Sequence, residues 1–252
     1  MPAPILYCGD TNLEGAASYL TGLMTHFGWA FDYVPSHVPM TRELIERPHS
    51  LLIFSDYPAT QFDDDLQEIA LKQVEAGVGL LMIGGWESFH GCGGNWNGTP
   101  LGEALPVEIG NRDDRVNFPQ TTLLVRSADE DHPVIKNLPW NEQTPTIGGL
   151  NRVHAKPETE CALIALPHKV FEFDGEFVFQ KKKSHPALVL GKQSRGRTAA
   201  FMSDVAPHWV GGFVDWGPER VKAQAAGASA IEVGSHYAQF WKQLLSWVGR
   251  LE

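Results

Sequence analysis

Seven side chains capable of acid, base or nucleophilic chemistry each lie just after an apolar run of the sequence. They are Asp56, Glu87, Ser88, His90, Cys92, Asp204 and His208. Carboxylates, imidazoles, a hydroxyl and a thiol brought together in one cleft can serve acyl transfer or proton transfer. The candidate catalytic residues are therefore Ser88 or Cys92 as a nucleophile, and Asp204 with His208 as an acid/base pair.

Each of these groups also has a structural interpretation. A carboxylate at a strand end, such as Asp56 or Asp204, is often a cap for the element that follows. Cys92 is flanked by Gly91 and Gly93 and should be exposed, but exposure alone does not make a thiol nucleophilic. His90 is equally typical of a surface loop. The sequence leaves both interpretations open.

The loop after the apolar run 78–83 is rich in glycine and aromatic residues. An aromatic ring in a wet loop can stack on a sugar or a base, although packing in the core is the commoner role. The following residues are predicted to contact a small-molecule ligand: Asp56, Tyr57, Gly85, Trp86, Glu87, His90, Trp96 and Trp209.

The spacing of potential metal and phosphate ligands argues against a cofactor. His90 and Cys92 are two residues apart, and no second close pair completes a zinc site. The glycines of the loop lack the Lys-Ser/Thr ending of a phosphate-binding P-loop, and no Gly-x-Gly-x-x-Gly run follows the first apolar strand. We predict neither a bound metal nor a nucleotide cofactor.

The elements that must position these residues alternate between strands and helices in the first half of the chain. Strands are predicted over 4–8, 31–34, 50–55 and 78–83, and helices over about 14–27, 41–47 and 63–75. Thr11 and Glu14 have the spacing of a capping box for the first helix. This order is typical of an α/β, flavodoxin-like, doubly wound and mostly parallel sheet, whose ligand sites lie at the carboxyl ends of the strands.

In the second half of the chain, the predicted elements are mostly strands and no longer alternate with helices. Strands are predicted over 121–126, 160–166, 186–190 and 197–202, with a hairpin over 170–179 that turns at Asp174-Gly175 and a loop over 129–139. Consecutive strands without helices indicate an antiparallel extension of the sheet. A helix over 237–250 has one apolar stripe. This helix and the 211–234 segment are the surfaces from which we expect a homo-oligomer to form.

Length and charge limit the classes of partner. The 252 residues suit a single domain over 1–252, and the net charge of −10 argues against binding to nucleic acid. No stretch approaches the ~20 apolar residues of a membrane span, and the first residues lack the basic start of a signal peptide. Cys8 and Cys161 lie within apolar strands and read as inert core thiols. We expect a cytoplasmic protein with a small-molecule partner, no membrane and no nucleic acid.

Several longer segments are similar to a known family. The stretches GVGLLMIGGWESFHGCGGNWNGTPLGEALPV, SLLIFSDYPAT and RTAAFMSDVAPHW resemble the glutamine amidotransferase-like family of bacteria, within the class I glutamine amidotransferase-like superfamily. ADEDHPVIKNLP also resembles a segment of the related trehalose-utilisation-like proteins. The resemblance spans nearly the whole chain and implies the fold derived above.

The resemblance also implies where a catalytic triad would lie. In class I amidotransferases the nucleophilic Cys ends the equivalent strand, and here Trp86 takes that position. His208 follows the equivalent late strand but lacks a Glu two residues on. An indole cannot attack an amide, so glutamine hydrolysis by the usual Cys-His-Glu triad is not expected. Two hypotheses follow: a hydrolase or transferase of unassigned substrate, or a non-catalytic module that binds a sugar-like ligand or serves in assembly.

Overall fold

The computed structural model describes residues 3–126 and 132–252, the side chain of Arg126 excepted. The loop expected over 129–139 and the ADEDHP segment therefore lie partly outside the described residues. The first half contains the strands β1 (Ile5–Gly9), β2 (Phe31–Val34), β3 (Leu51–Ser55) and β4 (Gly79–Ile83). Between them lie the helices α1 (Ala17–His26), α2 (Arg42–Ile45) and α3 (Asp64–Ala76), with a 3-10 turn at Ala59–Gln61.

The second half is built mainly from strands. After α4 (Pro100–Ala104) come β5 (Val107–Glu108), β6 (Arg115–Asn117), β7 (Thr122–Arg126), β8 (Gly149–Asn151), β9 (His154–Ala155), β10 (Glu160–Phe173), β11 (Glu176–Lys181), β12 (His185–Gln193) and β13 (Gly196–Phe201). The chain ends with α5 (Pro207–Val210), a 3-10 helix at Gly211–Asp215, β14 (Arg220–Ala223), β15 (Ile231–Gly234) and α6 (Ser235–Gly249).

Within the residues described, the central sheet has nine strands, in the order β11-β10-β12-β13-β4-β3-β1-β2, with β7 paired to β10. β13, β4, β3, β1 and β2 run parallel, and β10, β11, β12 and β7 are added antiparallel. The α/β, flavodoxin-like sheet with an antiparallel extension is therefore confirmed. β1, β3 and β4 are fully buried, as expected for parallel strands covered on both faces.

The start of α1 differs from the sequence prediction. The helix begins at Ala17, and its N-cap Ala16 receives no side-chain hydrogen bond. Thr11 instead has a left-handed φ of 63° and donates its N–H to Oγ of Ser36, at 2.9 Å. The predicted capping box is wrong, because the first residues after β1 form a turn before the chain becomes helical.

The apolar stripe of α6 packs onto the chain's own sheet. Its residues are at most 3% exposed where they face the core: Tyr237, Ala238, Phe240, Trp241, Leu244, Leu245 and Val248. The apolar stripe of this helix is therefore used within the chain and is not a free surface for a second subunit. None of the helices in the described part of the chain is long and apolar enough to cross a membrane.

Candidate functional site

Four neighbouring parallel strands end at one edge of the sheet. In the order β13, β4, β3 and β1, they are followed by Asp204, Gly85, Asp56 and Asp10. Because the strands are parallel, their carboxyl ends meet at the same edge, where open α/β sheets hold their ligands. We refer to Asp10, Asp56, Asp204 and His208 as the carboxyl-edge cluster.

Asp204 and His208 form an ion pair within this cluster. Nε2 of His208 lies 2.9 Å from Oδ2 of Asp204, whose side chain is buried, whereas the imidazole is 56% exposed. Pro207 is the first residue of α5, so His208 lies in the first turn of this helix, and Asp204 lies in the segment just before its N-cap, Ala206. The nearby carboxylate of Asp204 raises the pKa of His208. A buried carboxylate that orients an exposed imidazole is the arrangement of a base and its positioning group.

The other carboxylate oxygen of Asp204 has a structural role. Oδ1 accepts the N–H groups of Val205 and Ala206, at 2.5 and 3.0 Å. The cap interpretation and the acid/base interpretation therefore both apply, one to each oxygen. Fixing Oδ1 in this way holds Oδ2 towards His208.

Asp56 is folded tightly against the loop that follows β4. Its φ is 47°, its N–H donates to Oγ of Ser88 at 2.9 Å, and its Oδ1 accepts the N–H of Glu87 at 2.7 Å. A Cβ added to Gly85 would stand only 2.1 Å from that Oδ1. Burial and the charge of Asp204 raise the pKa of Asp56 to about 7. Asp56 can therefore hold or release a proton near neutral pH.

Asp10 is a member of the cluster that sequence reasoning missed. It is buried, has a left-handed φ of 51°, and accepts hydrogen bonds from Tyr7 and, at 3.0 Å, from Oγ of Ser55. Burial and the charges of Asp204 and Asp56 raise its pKa well above the usual range. The available signal was its position: like Asp56, Asp10 comes directly after an apolar strand.

The glycine-rich loop is held by two buried polar residues that were also missed. Oδ1 of Asn151 accepts the N–H of Gly85 at 2.9 Å, and Nδ2 of Asn151 donates to Oδ1 of Asp114 at 2.7 Å. Asp114 in turn accepts the N–H groups of His90 and Gly91, at 3.0 and 3.1 Å. Neither residue follows an apolar run, so the sequence carried no comparable signal for them.

The structure does not join the candidate nucleophiles to the imidazole. Ser88 is buried, and its Oγ accepts the N–H of Asp56. Cys92 is exposed, and its N–H donates to the carbonyl oxygen of Trp86 at 2.7 Å. Within residues 3–126 and 132–252, no hydrogen bond links Ser88 or Cys92 to His208. His90 is half-buried in the same loop.

The aromatic candidates divide into one exposed ring and three buried ones. Trp86 is 51% exposed, with the guanidinium of Arg115 at 4.5 Å from its ring centre. Trp96 and Tyr57 are completely buried, and Nε1 of Trp96 donates to the Tyr57 carbonyl oxygen at 2.9 Å. Nε1 of the buried Trp209 donates to Asn117 at 2.6 Å. Tyr57, Trp96 and Trp209 are thus packing residues rather than ligand-facing rings, because their polar atoms and ring faces are already occupied by protein.

The turn after β4 does not have the geometry of a nucleophile elbow. An elbow is a sharp, strained turn that leads directly from a strand into a helix. A positive φ is found in this loop at Phe89, Gly91, Asn95 and Gly98. It is not found at Gly84, Gly85 or Trp86, where the elbow would lie. The next helix, α4, begins only at Pro100. Among the described residues, no group of three or more His, Cys, Asp or Glu side chains is arranged to hold a metal ion.

Known structures share this fold over almost their full length. The cytoplasmic protein STM3548 from Salmonella typhimurium matches with a TM-score of 0.74 and 24% identity, covering 97% of this chain and 98% of that one. The cytoplasmic protein STM1381 from Salmonella typhimurium LT2 matches with a TM-score of 0.72 and 25% identity, covering 97% and 99%. A ThuA-like protein from Parabacteroides merdae has a TM-score of 0.56 at 12% identity, covering 99% and 90%.

At the level of sequence, a family model gives the assignment. No functionally curated protein matches the chain. The model that does match covers residues 10–250, a range that includes all four members of the carboxyl-edge cluster, and it confirms the resemblance seen in the sequence. The chain belongs to the GATase1-like family, described as "Putative glutamine amidotransferase".

Proposed function

We propose that this protein is a cytoplasmic hydrolase or transferase that acts on a small polar molecule by proton transfer at the carboxyl-edge cluster. The observation that carries the proposal is the ion pair between His208 and the buried Asp204, at 2.9 Å, beside Asp56. The cytoplasmic location is supported by the names of the two Salmonella proteins, and a single unit over 1–252 is supported by the extent of the family match.

The proposed chemistry divides the work between two groups. Nε2 of His208 is held by Asp204, so Nδ1 is the nitrogen that can exchange a proton with a substrate. Asp56, with a pKa of about 7, supplies the complementary proton acceptor or donor. A carboxyl group that titrates near neutrality and an imidazole with a raised pKa at the same edge can between them protonate a leaving group and deprotonate an attacking water or hydroxyl.

This proposal separates the protein from glutamine hydrolysis. The family's reaction needs a thiolate on an elbow, and Trp86 stands at that position while Cys92 lies on a separate turn. Incubation with L-glutamine should release no ammonia above background. Ammonia release that is lost in Cys92→Ala would contradict the proposal.

The substrate can be sought without guessing its identity. The wild-type protein is incubated with an extract of small polar metabolites, and mass spectrometry records which compounds disappear and which form. We expect one compound to be converted by the wild type and by Cys92→Ala, and at least about 100-fold more slowly by Asp204→Asn or His208→Gln. Conversion that is unaffected by these two substitutions would refute the acid/base assignment.

A non-catalytic binding module is the second candidate function. The observation that favours it is Trp86, whose half-exposed indole stands one residue from Gly85 and Glu87, both in contact with Asp56. Such a ring can stack on a sugar. In the same experiment, a compound that co-elutes with the protein unchanged, and is lost in Trp86→Ala, would favour binding over catalysis.

A further inference from the structure

Among the described residues, the large apolar side chains with the highest exposure lie on the hairpin formed by the outer half of β10 and by β11. Phe173, Phe177 and Phe179 are 70%, 74% and 59% exposed, and all six residues of β11 are exposed. The hairpin turns at Asp174 and Gly175, which both have positive φ. β11 is the last strand of the nine-stranded sheet, so one of its sides is an open edge.

Backbone geometry shows which groups line this open edge. The N–H of Lys182 donates to the carbonyl oxygen of Pro167 at 2.8 Å, on the side of β10. Because backbone groups alternate along a strand, the N–H and C=O groups of Phe177, Phe179 and Lys181 point away from β10. In the part of the chain that the structure describes, these outward groups have no backbone partner.

The opposite edge of the same hairpin is partly covered. The side-chain amide of Gln120 donates to the carbonyl oxygen of Val170 and accepts its N–H, both at 3.1 Å. Gln120 thereby imitates a neighbouring strand at the edge of β10. The edge of the hairpin on β10 is thus partly covered within the chain, at His168 and Val170, whereas the edge on β11 is open for pairing with another strand.

The charges around β11 identify the strand that would fit it. Asp174 and Glu176 lie at the turn end, and Lys181, Lys182 and Lys183 lie at the other end. An antiparallel copy of the same strand would place the acidic end of each chain against the basic end of its partner. A parallel copy would place like charges together, which is unfavourable.

We propose that the open edge of β11 is a dimer interface, at which two copies of this chain pair antiparallel about a two-fold axis and join their sheets. In an antiparallel pair, directly opposite residues have their side chains on the same face of the sheet. An axis midway between two successive residues would put residues of different faces opposite each other, so the axis must pass through a residue of β11. With the axis at Phe179, Glu176 faces Lys182 of the other copy. With the axis at Val178, Asp174 faces Lys182, and Phe177 faces Phe179.

The net charge of −10 disfavours nucleic acid as the occupant of this surface. A second copy also gives each exposed phenylalanine of β11 an apolar or cationic neighbour across the pair. The inference is independent of the chemistry proposed at the carboxyl-edge cluster.

The test is sedimentation velocity on the full-length protein across a range of concentrations. We expect a dimer for the wild type and a monomer for Phe179→Pro, which removes an outward N–H without breaking a hydrogen bond to β10. The matched control is Phe173→Ser, which removes an exposed aromatic side chain from β10 and should leave a dimer. Circular dichroism checks that all variants are folded.

Charge reversal provides a second test that needs no proline. Lys182→Glu should weaken dimerisation by about ten-fold, because the new carboxylate would face an acidic side chain of the other copy. Adding Glu176→Lys restores the dimer if the axis is at Phe179, and adding Asp174→Lys restores it if the axis is at Val178. A wild-type monomer, a dimer unchanged by both Phe179→Pro and Lys182→Glu, or a monomer that binds anionic lipid vesicles through the hairpin would overturn the proposal.

Discussion

The carboxylate of Asp56 occupies the space in which a side chain at residue 85 would stand, since a Cβ on Gly85 would lie 2.1 Å from Oδ1 of Asp56. Non-bonded contacts with a real Cβ essentially never fall below 3.0 Å. Gly85 is thus required for the close approach of an acidic side chain. This contact connects the end of β3 to the loop after β4 and holds the candidate site together.

Gly85→Ala should therefore destabilise the protein and displace Asp56. We expect a loss of about 1–3 kcal/mol in the free energy of unfolding, measured by urea denaturation. Gly93→Ala is the matched control, because a Cβ there would meet only Oε1 of Glu87, at 3.9 Å. Equal stabilities for the two variants would contradict the steric argument.

Asp204→Asn should lower the pKa of His208. The substitution keeps an oxygen that can accept the N–H groups of Val205 and Ala206, but it removes the negative charge and the carboxylate partner of the imidazole. Titration of the histidine signals by NMR measures the change. Asp113→Asn, which alters an exposed carboxylate paired with Arg115, should leave His208 unchanged. A His208 pKa that is the same in both variants would show that the ion pair is not formed in solution.

The stability that Asp56 contributes should fall as the pH rises through its titration range. Its folded pKa of about 7 lies above the ordinary value of 3.8, so the folded state binds more protons than the unfolded state between these values. The contribution of Asp56 to the free energy of unfolding then decreases from about pH 4 to about pH 7. Asp10, whose pKa is also raised, contributes in the same direction.

Asp56→Asn isolates the contribution of this one residue. Its amide oxygen can still accept the N–H of Glu87, but it does not ionise. The free energy of unfolding of the variant minus that of the wild type should be larger at pH 8 than at pH 5, by on the order of 2 kcal/mol. Parallel curves of unfolding free energy against pH would show that Asp56 is not protonated in the folded protein.

Asp114→Ala should loosen the glycine-rich loop without unfolding the sheet. It removes the acceptor for the N–H groups of His90 and Gly91 and leaves Nδ2 of Asn151 without that partner. We expect faster hydrogen exchange over residues 85–92, measured by mass spectrometry, and little change in β1 and β3. Asp113→Ala, at the neighbouring exposed position, serves as the control and should leave exchange in the loop as it is.

The α/β order of the elements was predictable because local patterns determine it. Apolar runs such as 78–83 are long enough for a strand buried on both faces, and the periodic apolar residues of 63–75 and 237–250 define helices. Asp56, Asp204 and His208 were found by the same logic, since each follows a strand. Boundaries that depend on non-local contacts were less predictable, as the start of α1 and the continuous β10 show.

Tertiary structure decided what the polar and aromatic residues do. The sequence by itself established the fold class, the family resemblance and the absence of a cysteine at the elbow position, all of which depend on residues near one another in the chain. Only the folded chain brings Asp10 beside Asp56 and Asp204, ties the loop to Asp114 and Asn151, and buries Trp96 while Trp86 is exposed. Burial and long-range neighbours determine pKa values and accessibility, and these neighbours lie tens to more than a hundred residues apart in sequence.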